Sequence, residues 1–199
     1  MQYLFQIYDE MQFDYDLLHI QRLRRSSNFV PGSGSLVPRA ILVGEAPGAN
    51  ENREQRPFVG RSGIFLEGVL KDSGMLRSDV FITNVVKYQP PGNRDPSPKE
   101  INESLPFLRR ELALLGTSGC RTIIAMGKIA CSSLLGEDIS VTNYRGKFLP
   151  MKNGWQVFVT YHPSFIIRSI RPDSPPSLVE KQFRADFRTV GEYVNTQVK

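Results

Sequence analysis

Four short apolar runs set the frame for this chain: Ala40-Ile41-Leu42-Val43, Val80 to Val86, Thr122-Ile123-Ile124-Ala125-Met126 and Val157-Phe158-Val159-Thr160. Runs of this length, apolar at nearly every position, are the pattern of strands covered on both faces. Between them the apolar spacing becomes helical. Ser62 to Gly74 carries Ile64, Phe65, Leu66, Val69 and Leu70, and is closed by a glycine. Asp95-Pro96-Ser97-Pro98 opens a helix bearing Ile101, Leu105, Leu108, Leu112 and Leu115. A small-residue helix over Lys128 to Leu135 ends at Gly136, and the stretches 9–25 and 178–195 also read as helices. Ser26 to Pro38 and residues 171–177 collect Ser, Gly and Pro and read as loops. Strands alternating with helices predict an α/β chain. The expectation is one domain over residues 1–199, a three-layer α/β/α sandwich around a central, mostly parallel four-stranded sheet.

The charge balance narrows the partners. Twenty-five Lys and Arg against 20 Asp and Glu leave +5, which favours an anionic partner such as nucleic acid, although a basic solvated surface gives the same count. Cys120 and Cys131 provide neither a disulfide framework nor a metal-ligand spacing. They suit buried thiols in a cytoplasmic or other intracellular reducing compartment. No apolar run reaches the ~18 residues needed to span a bilayer. The start, Met1-Gln2-Tyr3-Leu4, lacks the basic-then-apolar pattern of a signal peptide. A soluble monomer with no membrane partner is expected.

In open α/β sheets the ligand crevice is built from loops that leave the strand ends. Gly44-Glu45-Ala46-Pro47-Gly48 follows the first run, Pro57-Phe58-Val59-Gly60 leads into a helix, and Tyr161-His162-Pro163-Ser164 follows the last. An acid, an aromatic and a histidine on three such loops point to one active site. Nucleotide-cofactor motifs fit poorly. The first loop lacks the Gly-Lys-Ser/Thr ending of a phosphate loop, Gly127-Lys128 lacks the preceding glycine, and Gly32-Ser33-Gly34 precedes its strand.

Four segments occur in one order: Gly44 to Glu51; Arg56 to Gly63; Thr83-Asn84-Val85-Val86-Lys87 with Pro90-Pro91-Gly92-Asn93-Arg94; and Tyr161 to Ser164. This series resembles the family 4 uracil-DNA glycosylases, from about residue 17 to residue 168. The resemblance implies an enzyme that flips a base out of DNA and reads its polar edge in a pocket. Phe58 is the candidate to stack on the base, with Gly44 and Ala46 beside it, and a plain core aromatic is the alternative. Asn84 is implied to read uracil, because one amide can pair with both the N3 donor and the O4 acceptor. His162 is implied to face O2, where charge gathers as the glycosidic bond breaks. The other histidine, His19, reads as structural or solvated. Glu45 and Glu51 are the candidate acids, to orient water or to stabilise the cationic sugar, and either can instead hold its loop in shape. Family 1 enzymes place an aspartate where this chain has Ala46, so their water-activation scheme does not carry over.

Arg61, Ser62, Gly63 and Ser164 are expected at phosphates flanking the flipped nucleotide. Phe165 is a candidate wedge for the emptied base stack, with Arg168 on phosphate and Arg145 in a further DNA-side loop. Packing against the C-terminal helix is the alternative for Phe165.

The chain departs from the family at its metal. Family 4 enzymes usually hold a [4Fe–4S] cluster on four cysteines, and the corresponding positions here are Leu17, Ile20, Tyr88 and Ser104. Thiolates hold such clusters, so no cluster, metal or other cofactor is expected, with apolar packing in the vacated space. The resemblance therefore implies a cluster-free glycosylase that hydrolyses the N-glycosidic bond of deoxyuridine in DNA, releasing uracil and leaving an abasic site for base excision repair. The alternatives are a catalytically weak glycosylase-fold module that binds DNA or a protein partner, and an enzyme acting on another base such as hypoxanthine.

Overall fold

The computed structural model describes residues 8–9, 27–171 and 174–197. Of the helix expected over 9–25, all but its first residue lies outside them, as do Leu17, His19 and Ile20. A six-stranded sheet forms the middle layer. Its strands are β1 (Ser33–Gly34), β2 (Ala40–Gly44), β3 (Val80–Asn84), β4 (Thr122–Met126), β5 (Phe148–Pro150) and β6 (Gln156–Thr160). They lie in the order β1-β3-β2-β4-β6-β5. The helices are α1 (Ala49–Glu54), α2 (Arg61–Asp72), α3 (Pro98–Gly116), α4 (Lys128–Leu135), α5 (Val141–Tyr144), α6 (Pro163–Ser169) and α7 (Leu178–Thr196).

The inner strands β3, β2, β4 and β6 are the four apolar runs, all mutually parallel. Two antiparallel edge strands, β1 on β3 and β5 on β6, correct the expected strand count from four to six. Ser33–Gly34 has no apolar run, and Phe148-Leu149-Pro150 is only three residues long and ends in proline, which reads against a strand. They are made by backbone pairing to a neighbour, so they leave no periodic trace in the sequence.

Alternate side chains of the inner strands enter two cores. Ile41, Val43, Ile123, Ala125, Val157 and Val159 pack with Leu108, Leu112 and Leu115 of α3 and Cys131 of α4. Leu42, Ile82, Ile124, Met126 and Phe158 pack with Leu66, Val69 and Leu70 of α2 and Phe183, Phe187 and Val190 of α7. Sheet residues covered on both faces account for runs without polar alternation. Helix α3 starts where its sequence says it should: Ser97 Oγ accepts the Glu100 N–H at 3.3 Å and Glu100 returns to the Ser97 N–H at 2.7 Å, with Pro98 next in line. No helix among the described residues is long and apolar enough to cross a membrane.

The order of the strands places the site. From β2 the chain builds outward to β3, then returns across to β4 on the other side of β2. The direction of winding reverses at the carboxyl end of β2, and at such a switch point the diverging loops leave a crevice. Gly44 ends β2 there, paired in register with Asn84 at the end of β3.

Candidate active site

The crevice is a cleft of about 610 Å³, and its walls include Glu45, Ala46, Glu51, Phe58, Ser62, Asn84, His162, Ser164, Phe165 and Arg168. Three of these, Phe58, Asn84 and His162, meet at its floor. Gly44 has Asn84 and Phe58 pressed so close that a Cβ there would lie 2.4 Å from Asn84 Oδ1 and 2.6 Å from Phe58 Cζ. The Phe58 ring lies 5.6 Å from the His162 ring, tilted by 38°. Asn84 and Phe58 are 3% and 6% exposed.

The polar atoms on this floor are incomplete. Asn84 Oδ1 and His162 Nε2 are buried with no hydrogen-bond partner among the described residues. Buried polar atoms are otherwise almost always paired, so two orphans in one cleft mark groups kept for a ligand. His162 is also the N-cap of α6: its Nδ1 accepts the Ser164 N–H at 3.2 Å and lies 2.7 Å from Ser164 Oγ. A backbone N–H can only donate, which leaves the ring proton on Nε2, the orphan atom. Burial, helped by the positive charge of Arg168, pushes the His162 pKa down to about 4. At neutral pH the cleft therefore presents a neutral N–H donor.

The two acids differ. Glu51 Oε1 accepts the N–H groups of Val59 and Gly60 at 3.0 and 2.7 Å, tying α1 to the loop that carries Phe58. Glu45 lines the cleft, where burial and then the nearby Asp95 raise its pKa to about 7 against the opposing charge of Arg168. Asp95 was not anticipated from sequence, because only the fold brings residues 93–95 to the cleft wall.

Asn84 is fixed from behind. Lys87 Nζ, fully buried, donates to the Asn84 carbonyl at 3.0 Å and pairs with Glu111 Oε2 at 2.7 Å. It also contacts Thr83 Oγ1. Glu111 accepts in turn from Thr83 Oγ1 at 2.9 Å and from the Tyr8 hydroxyl. Burial lowers the Lys87 pKa and Glu111 opposes that fall. The sequence held a signal for this pair. Glu111 sits on the same apolar helix stripe as Leu108, Leu112 and Leu115, where a buried acid needs a cation.

The profile of the Uracil DNA glycosylase superfamily matches residues 31–184. A Type-4 uracil-DNA glycosylase of Thermotoga maritima is 39% identical over 153 residues, 76% of this chain and 76% of its own length. Similar enzymes of Pyrobaculum aerophilum (38% identical, 71% of this chain and 74% of theirs) and Archaeoglobus fulgidus (32%, 85% and 83%) carry the same name. The chain belongs to the uracil DNA glycosylase superfamily.

Within that family the DNA-side candidates separate. Ser62, Ser164, Phe165 and Arg168 line the cleft, and Phe165 is 44% exposed. Arg61 is exposed but outside the cleft wall. Gly63 has a packing role: a Cβ there would lie 1.9 Å from the Phe58 carbonyl oxygen. Arg145 is committed internally, to Asp186 and to the Gln182 carbonyl at 2.9 Å.

A [4Fe–4S] cluster of the kind implied by the resemblance does not fit the residues at the two described ligand positions. Tyr88 is buried, its ring 5.5 Å from that of Phe29, which in turn meets the Tyr8 ring at 6.0 Å. Ser104 Oγ donates to the Glu100 carbonyl at 2.7 Å within α3. Neither supplies a thiolate. Cys120 and Cys131 are buried elsewhere, directed at the carbonyls of Thr122 and Ala125. Among the described residues no group of three His, Cys, Asp or Glu could hold a metal ion.

Proposed function

We propose that the chain is a uracil-DNA glycosylase that hydrolyses the bond between uracil N1 and the deoxyribose, leaving an abasic site. The observation that carries this reading is the pair of orphan polar atoms beside Phe58. Among the described residues Asn84 Oδ1 lacks a donor and His162 Nε2–H lacks an acceptor. Uracil supplies both: N3–H for Asn84 Oδ1, with O4 for its amide N–H, and O2 for His162. Cytosine has an acceptor at N3 and a donor at C4, so it would set like against like.

Phe58 stacks on the flipped base in this reading. As the glycosidic bond breaks, its electrons pass to the uracil ring and charge gathers at O2. The neutral His162 N–H stabilises that charge from a buried position, where a fixed dipole counts for most. The sugar is left cationic at C1′. In this reading Glu45 stabilises it and orients the attacking water, while Glu51 holds the loop. Phe165 fills the emptied stack, and Arg61, Ser62, Ser164 and Arg168 meet the backbone. The enzyme works as a monomer without a cofactor, in a reducing compartment that leaves Cys120 and Cys131 as free thiols.

The test is cleavage of single-stranded and duplex oligonucleotides bearing one uracil, read after alkali treatment. His162→Ala and Asn84→Ala should each lower kcat by about 10²–10³, the cost of removing one preorganised donor. The purified protein should have the mass of one chain and lack stoichiometric iron and sulfide. Salt-dependent DNA binding without cleavage would instead favour a glycosylase-shaped binding module.

A further inference from the structure

Phe58 holds an unusual backbone. Its φ is 53°, in the left-handed region that bulky side chains avoid. Such a conformation persists only where the surroundings fix it from several directions, and it recurs at ligand clamps. The structure shows what fixes it. Arg77, in the turn before β3, donates from Nη2 to the Pro57 carbonyl at 2.6 Å and from Nη1 to the Phe58 carbonyl at 3.1 Å. Glu51 takes the next two N–H groups, those of Val59 and Gly60. The carbonyls of Pro57 and Phe58 are thus gripped by a cation, and the amides of Val59 and Gly60 by an anion. Gly63 leaves the space beneath.

We propose that Arg77 is a positioning residue for base recognition: its guanidinium fork holds the Pro57 and Phe58 carbonyls so that the Phe58 ring lies flat against the uracil site. The proposal rests on the glycosylase reading and deepens it. Two successive carbonyls turned the same way match a planar fork with two parallel donors, whereas an ammonium offers one point of charge. A phosphate contact is the other common task for an arginine, but both of these terminal nitrogens are already spent on the loop. Without the fork the loop relaxes to an ordinary φ and Phe58 swings off the floor beside Gly44 and His162. Arg77 does not touch the substrate, so its loss acts through Phe58.

The test compares wild type, Arg77→Gln and Arg77→Lys in cleavage of a uracil oligonucleotide, inhibition by free uracil, binding of the abasic product strand, and thermal melting. Misplacing a contact group by about an ångström costs up to roughly a hundredfold, so Arg77→Gln should raise both KM and the uracil inhibition constant by about ten- to a hundredfold. Abasic-strand binding should not change, since no base enters the pocket. Arg77→Lys should recover part of the loss through one of the two carbonyls, and it carries the test if Arg77→Gln does not fold. If wild type cleaves uracil while the folded variants keep its KM and inhibition constant, this proposal alone is overturned. Equal loss of abasic-strand binding also overturns it, because that is general damage. A wild type that neither cleaves nor binds uracil overturns the glycosylase reading and the proposal together.

Discussion

Phe58 and Asn84 press on the same glycine from two sides of the cleft, yet they are held by unlike means. Asn84 ends a strand in the middle of the sheet, and its carbonyl rests on a fully buried Lys87–Glu111 pair. Phe58 sits on a loop in a left-handed backbone, gripped by the half-buried Arg77 and Glu51. On the Asn84 side, secondary structure sets the geometry and the ion pair locks it. On the Phe58 side the local backbone preference opposes the geometry, which exists because charged side chains impose it. Asn84 thus belongs to the folding core, and Phe58 to a clamp of charged side chains on a loop.

The largest effect expected from this contrast is on stability. Lys87→Met leaves Glu111 buried and charged without its partner, a change that costs about 3–5 kcal/mol. Its melting temperature should fall far below that of the Arg77 variants. Lys87→Met with Glu111→Gln removes both charges and keeps an amide for Tyr8 and Thr83, so most of that stability should return. Uracil cleavage should stay depressed by about tenfold, because the Asn84 carbonyl still lacks its donor. A stable double variant with full kcat/KM would show that the strand end alone holds Asn84. The two sides would then differ less than the structure indicates.

The same contrast explains what could be read from the sequence. The inner strands were legible because both faces are buried, although the second ends at Asn84 rather than at Val86; His162 was legible in the loop after the last run, and Asn84 only through the motifs that carry the resemblance. The edge strands Ser33–Gly34 and Phe148–Pro150 were not: the first is a two-residue Ser-Gly segment, and the second is three residues long and ends in proline. Helices α1 and α6, six and seven residues long, are too short to show a period; α6 is started by His162 itself. Arg77 left no trace, for Leu76-Arg77-Ser78-Asp79 reads as an ordinary surface turn. Its task is defined by carbonyls some twenty positions earlier in the chain. Glu45 and Glu51 could be named but not ranked, because their difference lies in what the fold places around each.

Ranking those acids sharpens the comparison. Glu51 belongs to the clamp and Glu45 to the strand-end side, where the Val86 N–H donates to its carbonyl at 3.0 Å. Glu51→Gln keeps an oxygen to accept the Val59 and Gly60 N–H groups and loses only the charge assistance, so kcat should fall by no more than about fivefold. Glu45→Gln removes the carboxylate itself and should lower kcat by about a hundredfold. Because the Glu45 pKa is raised to about 7, wild-type kcat should climb with pH through that value, and the climb should vanish in Glu45→Gln. Steady-state kinetics across pH 5 to 9 decide it, and a larger loss for Glu51→Gln would reverse the two roles.

The smallest effect is a cancellation between the sides. Glu45 moves from about 4.5 unfolded to about 7 folded, so between those values the folded state holds a proton that the unfolded state has lost. Stability from this group therefore falls as pH rises through the window. His162 moves the other way, from 6.5 unfolded to about 4 folded, and in that span the unfolded state holds the extra proton. Stability from His162 rises with pH. From pH 4.5 to 6.5 both windows overlap and the two slopes oppose each other, so the pair adds almost no pH dependence in wild type. Removing one member exposes the other. Denaturant unfolding measured at steps across that span should give Glu45→Gln a stability that rises with pH relative to wild type, and His162→Ala one that falls. Parallel profiles for both variants would mean that neither shift survives in the folded cleft, and that the neutral imidazole facing Phe58 owes its state to something other than burial.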